Sequence, residues 1–121
     1  MLKGKIHRAT VTEADLNYVG SITLDQNLMD AAGFKEFEKV GVLDITNGNR
    51  IETYVIKGEK NSGQVCINGA AAHLINTNDL VIIVSYCQLS ESEIKNHKPK
   101  IVHVDSNNHL ITLSSEELIS I

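Results

Sequence analysis

The chain has 121 residues, 42% of them hydrophobic, enough for one buried core and too few for two ordinary domains. Eleven Lys and Arg against fifteen Asp and Glu leave a net charge of −4, which argues against a phosphate-backbone partner, and 4% aromatic content without Trp argues against stacking platforms for nucleic acid. No stretch approaches the ~20 apolar residues of a bilayer span, and Met1 to Lys5 lead into no apolar signal core, so neither membrane insertion nor secretion is expected.

A single β-rich domain, 1–121, follows from the elements in chain order. Lys5 to Thr12 alternate polar and apolar, the period of a half-buried strand with Lys5 and His7 on one face. Tyr18 to Leu24 reads as extended, and Asp25 is a helix N-cap before Gln26 to Ala32, which Gly33 stops. That helix buries Leu28, Met29 and Ala32. Val40 to Ile45 and Arg50 to Ile56 form a hairpin around Thr46-Asn47-Gly48-Asn49, because Asn-Gly tolerates positive φ. Arg50, Thr53 and Tyr54 lie on its second strand. Val65 to Ile67 leads into the small-residue segment Asn68-Gly69-Ala70-Ala71-Ala72-His73, suited to close backbone approach. Leu80 to Tyr86 is a strand, Ser90 and Glu93 form a capping box, and strands follow near Lys100 to Val104 and Leu110 to Leu113. Many short strands and few helices suggest a small barrel.

Cysteine and histidine usage narrows the chemistry. Cys66 and Cys87 match neither zinc nor redox spacing and read as reduced core residues of a cytoplasmic protein. His97, His103 and His109 give no metal constellation and read as surface imidazoles, and no phosphate-binding glycine loop is present. Any site must work through isolated polar side chains and backbone.

Taken singly, the remaining candidates have ordinary readings. Gly20-Ser21 suits a turn, Thr53 a β-branched strand position and Tyr54 a packed aromatic. Lys5 and Arg50 are commonest as solvated charges, and His7 can have a purely local role. Their order changes the reading: Lys5-Ile6-His7, then Tyr18-x-Gly20-Ser21, then Thr46-Asn47-Gly48-Asn49-Arg50 with Thr53-Tyr54, then Asn68-Gly69-Ala70-Ala71-Ala72-His73. From about Leu2 to Tyr86 the chain resembles the pyruvoyl-dependent L-aspartate α-decarboxylases of pantothenate biosynthesis.

The resemblance implies a six-stranded double-psi β-barrel with short helices, a homotetramer of processed subunits, and self-cleavage between Gly20 and Ser21. The products would be a β chain, 1–20, and an α chain, 21–121, the four subunits giving four of each. Gly20 puts no side chain in the way of a Ser21 hydroxyl attack on its carbonyl, and elimination and hydrolysis then leave a covalent pyruvoyl group at residue 21. By resemblance Thr53 serves the oxyanion of cleavage and Asn68 holds the cleavage loop. The pyruvoyl ketone would form a Schiff base with aspartate, serving as electron sink without pyridoxal phosphate or metal. Tyr54 matches the family's proton donor. Lys5, His7, Arg50 and Thr53, with the backbone of Gly69, Ala70 and Ala71, match its substrate-binding positions, Arg50 by a bidentate grip on one carboxylate.

Ile22 stands where many members carry Cys, and Leu43 where an aromatic is common. The expected reaction converts L-aspartate to β-alanine and carbon dioxide. Its alternatives are an unprocessed barrel acting as a binding module and a decarboxylase of another acidic amino acid such as glutamate, whose extra methylene separates the carboxylates further.

Overall fold

In the computed structural model, which describes residues 1–114, the first alternating segment becomes strand β1 (Leu2–Thr10). Ile6 and Ala9 are both fully buried although an odd number of positions separates them. A β-bulge accounts for this. The register against Leu80–Tyr86 shifts between Ile6 and Ala9, and Arg8 takes φ 62°, absorbing one extra residue so that alternation restarts. Lys5 and His7 keep to the outer face, opposite Ile6.

Strand β2 (Glu13–Asp15) has no counterpart in the sequence reading, and β3 (Ser21–Asp25) begins at Ser21 rather than at Tyr18. Asp25 caps α1 (Gln26–Ala32) as expected: its Oδ1 accepts from the Asn27 N–H at 2.8 Å, and Gly33 closes the helix at φ 76°. Leu28, Met29 and Ala32 are its buried residues. The hairpin joins β4 (Lys39–Asp44) to β5 (Arg50–Gly58) through Gly48 at φ 81°. β6 (Val65–Asn68) runs directly into a 3-10 turn, Gly69–His73, and β7 (Leu80–Tyr86) follows. The Ser90/Glu93 capping box opens α2 (Glu91–Ile94), before β8 (Lys100–Val104) and β9 (Leu110–Ser114).

Among the described residues hydrogen bonding orders the strands β2-β6-β3-β5-β4-β7-β1-β8-β9, nine where six were expected. Part of the difference is that pairing creates short strands with no pattern of their own: β2 spans three residues and exists as a parallel partner of β6. The expected character, mainly β with short helices, is what the chain adopts. The sheet curls, because Ile67 near one end of the order and Val102 near the other belong to one buried cluster with Ile6, Ile22, Val55 and Ile83. Helix α1 packs Leu28 and Met29 into the same cluster. Each such side chain contributes about 1.5–3 kcal/mol when fully buried.

Two readings need correction. Cys66 is buried, but Cys87 is only half-buried and is not a core residue. Of the three histidines read as surface imidazoles, only His109 is exposed. His103 packs edge-on against His7, ring centroids 5.4 Å apart, and His97 Nε2 lies 2.6 Å from the Leu2 carbonyl oxygen. Both lie on or against the β1 surface, which gives imidazoles an amphipathic lodging that spacing along the chain does not reveal.

Candidate active site

Ser21 opens β3 in an unusual conformation. Its φ is 115°, a region disfavoured for any residue with a side chain, and its Oγ is buried without a hydrogen-bond partner among the described residues. Such backbone strain is worth about 1–3 kcal/mol and has to be held by its surroundings. Antiparallel pairing supplies the hold on one side, Ser21 opposite Asn68 and Ile22 opposite Ile67. On the other side β5 runs parallel, Ile22 beside Val55, which brings Ser21 to the level of Tyr54. Gly69, at φ 69°, backs the preceding residue so closely that a β-carbon there would lie 2.8 Å from the Gly20 Cα.

Asn68 is 2% exposed and its amide is committed at both ends. Oδ1 accepts from the Cys66 thiol at 3.1 Å, and Nδ2 donates to Thr23 Oγ1 at 3.1 Å. Burial, with the acidic neighbours Glu13 and Asp15, pushes the Cys66 thiol up to about 11, so it stays protonated and able to donate. A cavity of about 390 Å³ opens on this face, lined by residues including Glu13, Asp15, Tyr18, Thr23, Cys66 and Asn68. Sequence reasoning missed Cys66 and Thr23 as neighbours of Asn68. The available signal was the i, i+2 spacing of Cys66 and Asn68, which puts them on one face of a strand.

On β5 alternation divides the candidates. Arg50 and Tyr54 share the outer face with Glu52, whereas Thr53 falls on the side of Ile51 and Val55 at half burial. Tyr54 is 37% exposed and its ring is tilted 46° to that of Phe37, centroids 6.4 Å apart. Arg50 borders a cleft of about 270 Å³ with Gly41, Leu43, Glu52, Val84 and Tyr86. Leu43 thus shapes the wall beside Arg50. Gly41 forms the floor, since a β-carbon there would stand 3.3 Å from Val84 Cγ2.

The turn that presents Arg50 is pinned by Asp44. Its Oδ1 accepts from the backbone N–H groups of Thr46 and Asn47 at 2.8 and 3.1 Å, while Oδ2 is buried and meets no donor among the described residues. Burial and the adjacent Asp79 carboxyl raise Asp44 to about 6.

Lys5 and His7 lie elsewhere. Lys5 is in register with Val84, Val84 with Gly41, and Gly41 with Glu52, a row across the outer face from β1 to β5. The strand order places β1 four positions from β3. A single chain therefore gathers Gly20, Ser21, Asn68 and Gly69, with Tyr54 and Arg50 on the neighbouring strand, and leaves Lys5 and His7 apart. Ala70 and Ala71 follow Gly69 in the 3-10 turn, Ala70 exposed and Ala71 packed against the core. Among the described residues no cluster of His, Cys, Asp and Glu could hold a metal ion, and no helix is long and apolar enough to cross a membrane.

These features define a small, mainly β protein with a strained, buried serine at a strand start and polar side chains around it. A sequence model of the aspartate decarboxylase family matches residues 1–111. The chain is 62% identical over 117 residues to the aspartate 1-decarboxylase of Caldicellulosiruptor saccharolyticus, covering 97% of this chain and 91% of that one. Identity is 62% over 117 residues to the enzyme of that name from Neisseria meningitidis, covering 97% and 92%, and 60% over 116 residues to that from Corynebacterium efficiens, covering 96% and 85%. The chain belongs to the aspartate decarboxylase family.

Proposed function

We propose that this protein is an aspartate 1-decarboxylase that makes its own cofactor from Ser21 and converts L-aspartate to β-alanine and carbon dioxide for pantothenate biosynthesis. Family membership carries the activity. The observation that supports self-processing is the buried Ser21 Oγ at φ 115°, directly after a glycine and without a hydrogen-bond partner among the described residues. A hydroxyl held without a hydrogen bond has little to lose by attacking, and a strained peptide has strain to release.

The steps balance as follows. Ser21 Oγ attacks the Gly20 carbonyl carbon, the Gly20–Ser21 C–N bond breaks, and the hydroxyl proton passes to the freed amine, leaving an ester. Loss of the Ser21 α-proton and cleavage of the Cβ–Oγ bond release the Gly20 carboxylate and leave dehydroalanine. Water then replaces ammonia, giving an N-terminal pyruvoyl group. Asn68, paired with Ser21 across the ladder, holds the segment during attack. Thr53 takes the oxyanion, an assignment that rests on the family resemblance.

The residues around position 21 fit that group: Gly20 and Gly69 leave room beside it, Asn68 and Thr23 are polar and uncharged, and the Cys66 thiol stays protonated, a poor competing nucleophile. A pyruvoyl ketone there supplies the electron sink for departure of the α-carboxylate. Tyr54, level with residue 21 on β5, delivers from its Oη the proton that replaces the carboxylate at Cα. Arg50 grips the remaining carboxylate with its planar fork. Gly69, Ala70 and Ala71 offer N–H groups of the first 3-10 turn, which have no acceptor within it. Lys5 and His7 complete the substrate contacts.

Because the strand order separates Lys5 and His7 from Ser21, a second copy is the natural source of them, which favours the homotetramer. Aspartate is the substrate, and the enzyme works in the cytoplasm. Mass spectrometry of the purified chain tests the reading. Expected are a fragment 1–20 and a second, 21–121, lighter than its Ser21-initiated form by one ammonia. A chain that stays intact on prolonged warming, or that cleaves equally as Ser21→Ala, would overturn self-processing. Assay of aspartate beside glutamate tests the substrate.

A further inference from the structure

We infer that Cys66 is a positioning residue for cleavage at Gly20–Ser21, acting with Thr23 to set the orientation of the Asn68 amide; this rests on the self-processing reading above. Two adjacent rows cross the strands here. Asp15, Asn68 and Ser21 lie in one, and Glu13, Cys66, Thr23 and Ile56 in the next. Asn68 belongs to the row of the scissile bond, yet its side chain leans into the other, where both ends of its amide are held.

The two holds are not equivalent. A threonine hydroxyl donates or accepts and would tolerate either end of the amide. A protonated thiol offers a hydrogen and is a poor acceptor, so it selects the carbonyl end. Cys66 is therefore the group that decides which end is which. Its Sγ stands 3.1 Å from Asn68 Oδ1 and 3.8 Å from Glu13 Oε2, and the acidic side of the cavity keeps the thiol from ionising. With Oδ1 turned to Cys66, Nδ2 faces Thr23, one of its two N–H bonds is used there, and the second is the one that can serve the cleavage segment. Without the thiol, the amide can rotate and put its oxygen where the second N–H had been, which removes the donor that holds the cleavage segment.

The experiment compares cleavage with turnover in the full chain. Precursor freshly expressed as wild type, Cys66→Ala, Cys66→Ser, Thr23→Val and Thr23→Ser is followed for appearance of fragment 21–121, and the aspartate turnover of the cleaved fraction is measured separately. Cys66→Ala and Thr23→Val are expected to slow cleavage about tenfold, the loss of one ordinary hydrogen bond. Thr23→Ser should restore it to within about threefold, because the hydroxyl returns, whereas Cys66→Ser should fall between Cys66→Ala and wild type, because a hydroxyl can donate to Oδ1 but no longer rejects the N–H end of the amide. Turnover per cleaved subunit should be unchanged in Cys66→Ala, since the step proposed for the thiol is complete before substrate binds. Cleavage at the wild-type rate or faster in Cys66→Ala overturns the proposal. So does equal slowing in Cys66→Ala and Cys66→Ser, which would mean that only packing matters. A wild-type chain that never cleaves fails the self-processing reading itself, a result distinct from either.

Discussion

Gly69 stands against Gly20 with no room for a side chain: a β-carbon on residue 69 would come within 2.8 Å of the Gly20 Cα and 3.1 Å of its nitrogen. Gly69 also adopts φ 69°, so alanine would be strained in place before it met any neighbour. Gly69→Ala is expected to lower stability by about 1–2 kcal/mol from the left-handed backbone alone. It should also slow the appearance of fragment 21–121 at least tenfold, because the clash is with backbone and must displace the segment ahead of Ser21. Urea titration and time-resolved gel analysis check the two effects, and normal cleavage would show that the close approach is incidental.

Tyr54 sits one strand from Ser21 with its ring partly exposed, available to substrate and not needed to fill the core. Tyr54→Phe should process normally but turn over aspartate about a hundredfold more slowly, since only the donor proton is lost. Unchanged turnover would assign protonation to another group or to water.

Arg50 reaches its cleft from a hairpin strand, beside Leu43. Arg50→Lys keeps the charge and loses the fork. It should raise KM for aspartate about tenfold with kcat nearly intact. A fall in kcat at constant KM would instead place Arg50 in the transition state alone.

Asp44 makes a pH prediction. Its carboxyl is raised from 3.8 to about 6 by burial and by Asp79, so the folded chain holds a proton that the unfolded chain gives up. The stability attached to that proton is present below about pH 4 and is lost as pH rises through 6. Asp44→Asn is expected to flatten this fall, gaining on the order of 1 kcal/mol over wild type at pH 7.5 relative to pH 4.5. Its Oδ1 can still accept from Thr46 and Asn47, and the new amide can donate to Asp79. Urea melts at the two pH values decide it; parallel pH dependence in both proteins would count against a shared proton. Glu38 works in the opposite sense. Burial disfavours its charge, but hydrogen bonds from Lys3, Ser85 and the Lys35 N–H outweigh burial and hold it below the usual carboxylate range.

Much of this is legible in the sequence. Asp25 and Gly33 bracket α1 because capping chemistry is local, and the Asn47-Gly48 turn and the Ser90/Glu93 box are legible for the same reason. What escaped depends on residues far apart in the chain. The bulge at Arg8 answers to Val81 and Ile83, and β2 exists only against Cys66, Ile67 and Asn68. For the site, motif order proposes Ser21, Tyr54 and Asn68, which the fold sets on neighbouring strands, but it does not show that Cys66 and Thr23 hold the Asn68 amide. Nor could linear order show that Lys5 and His7 lie four strand positions from Ser21, because strand order is a property of the sheet.

Strand β1 hydrogen-bonds on both sides, to β7 over most of its length and to β8 from Gly4 to His7, and Ile6 and Ala9 within it are fully buried. β2 adds a ladder to β6, and Val11 and Thr12 bond to Asp79 and Val65. A cut ahead of Ser21 would therefore sever the backbone without discarding a propeptide. The first twenty residues would remain as an internal stave of the same molecule, and the two pieces should travel together through every purification step short of denaturant. Made separately, they should reassemble like the halves of a split protein.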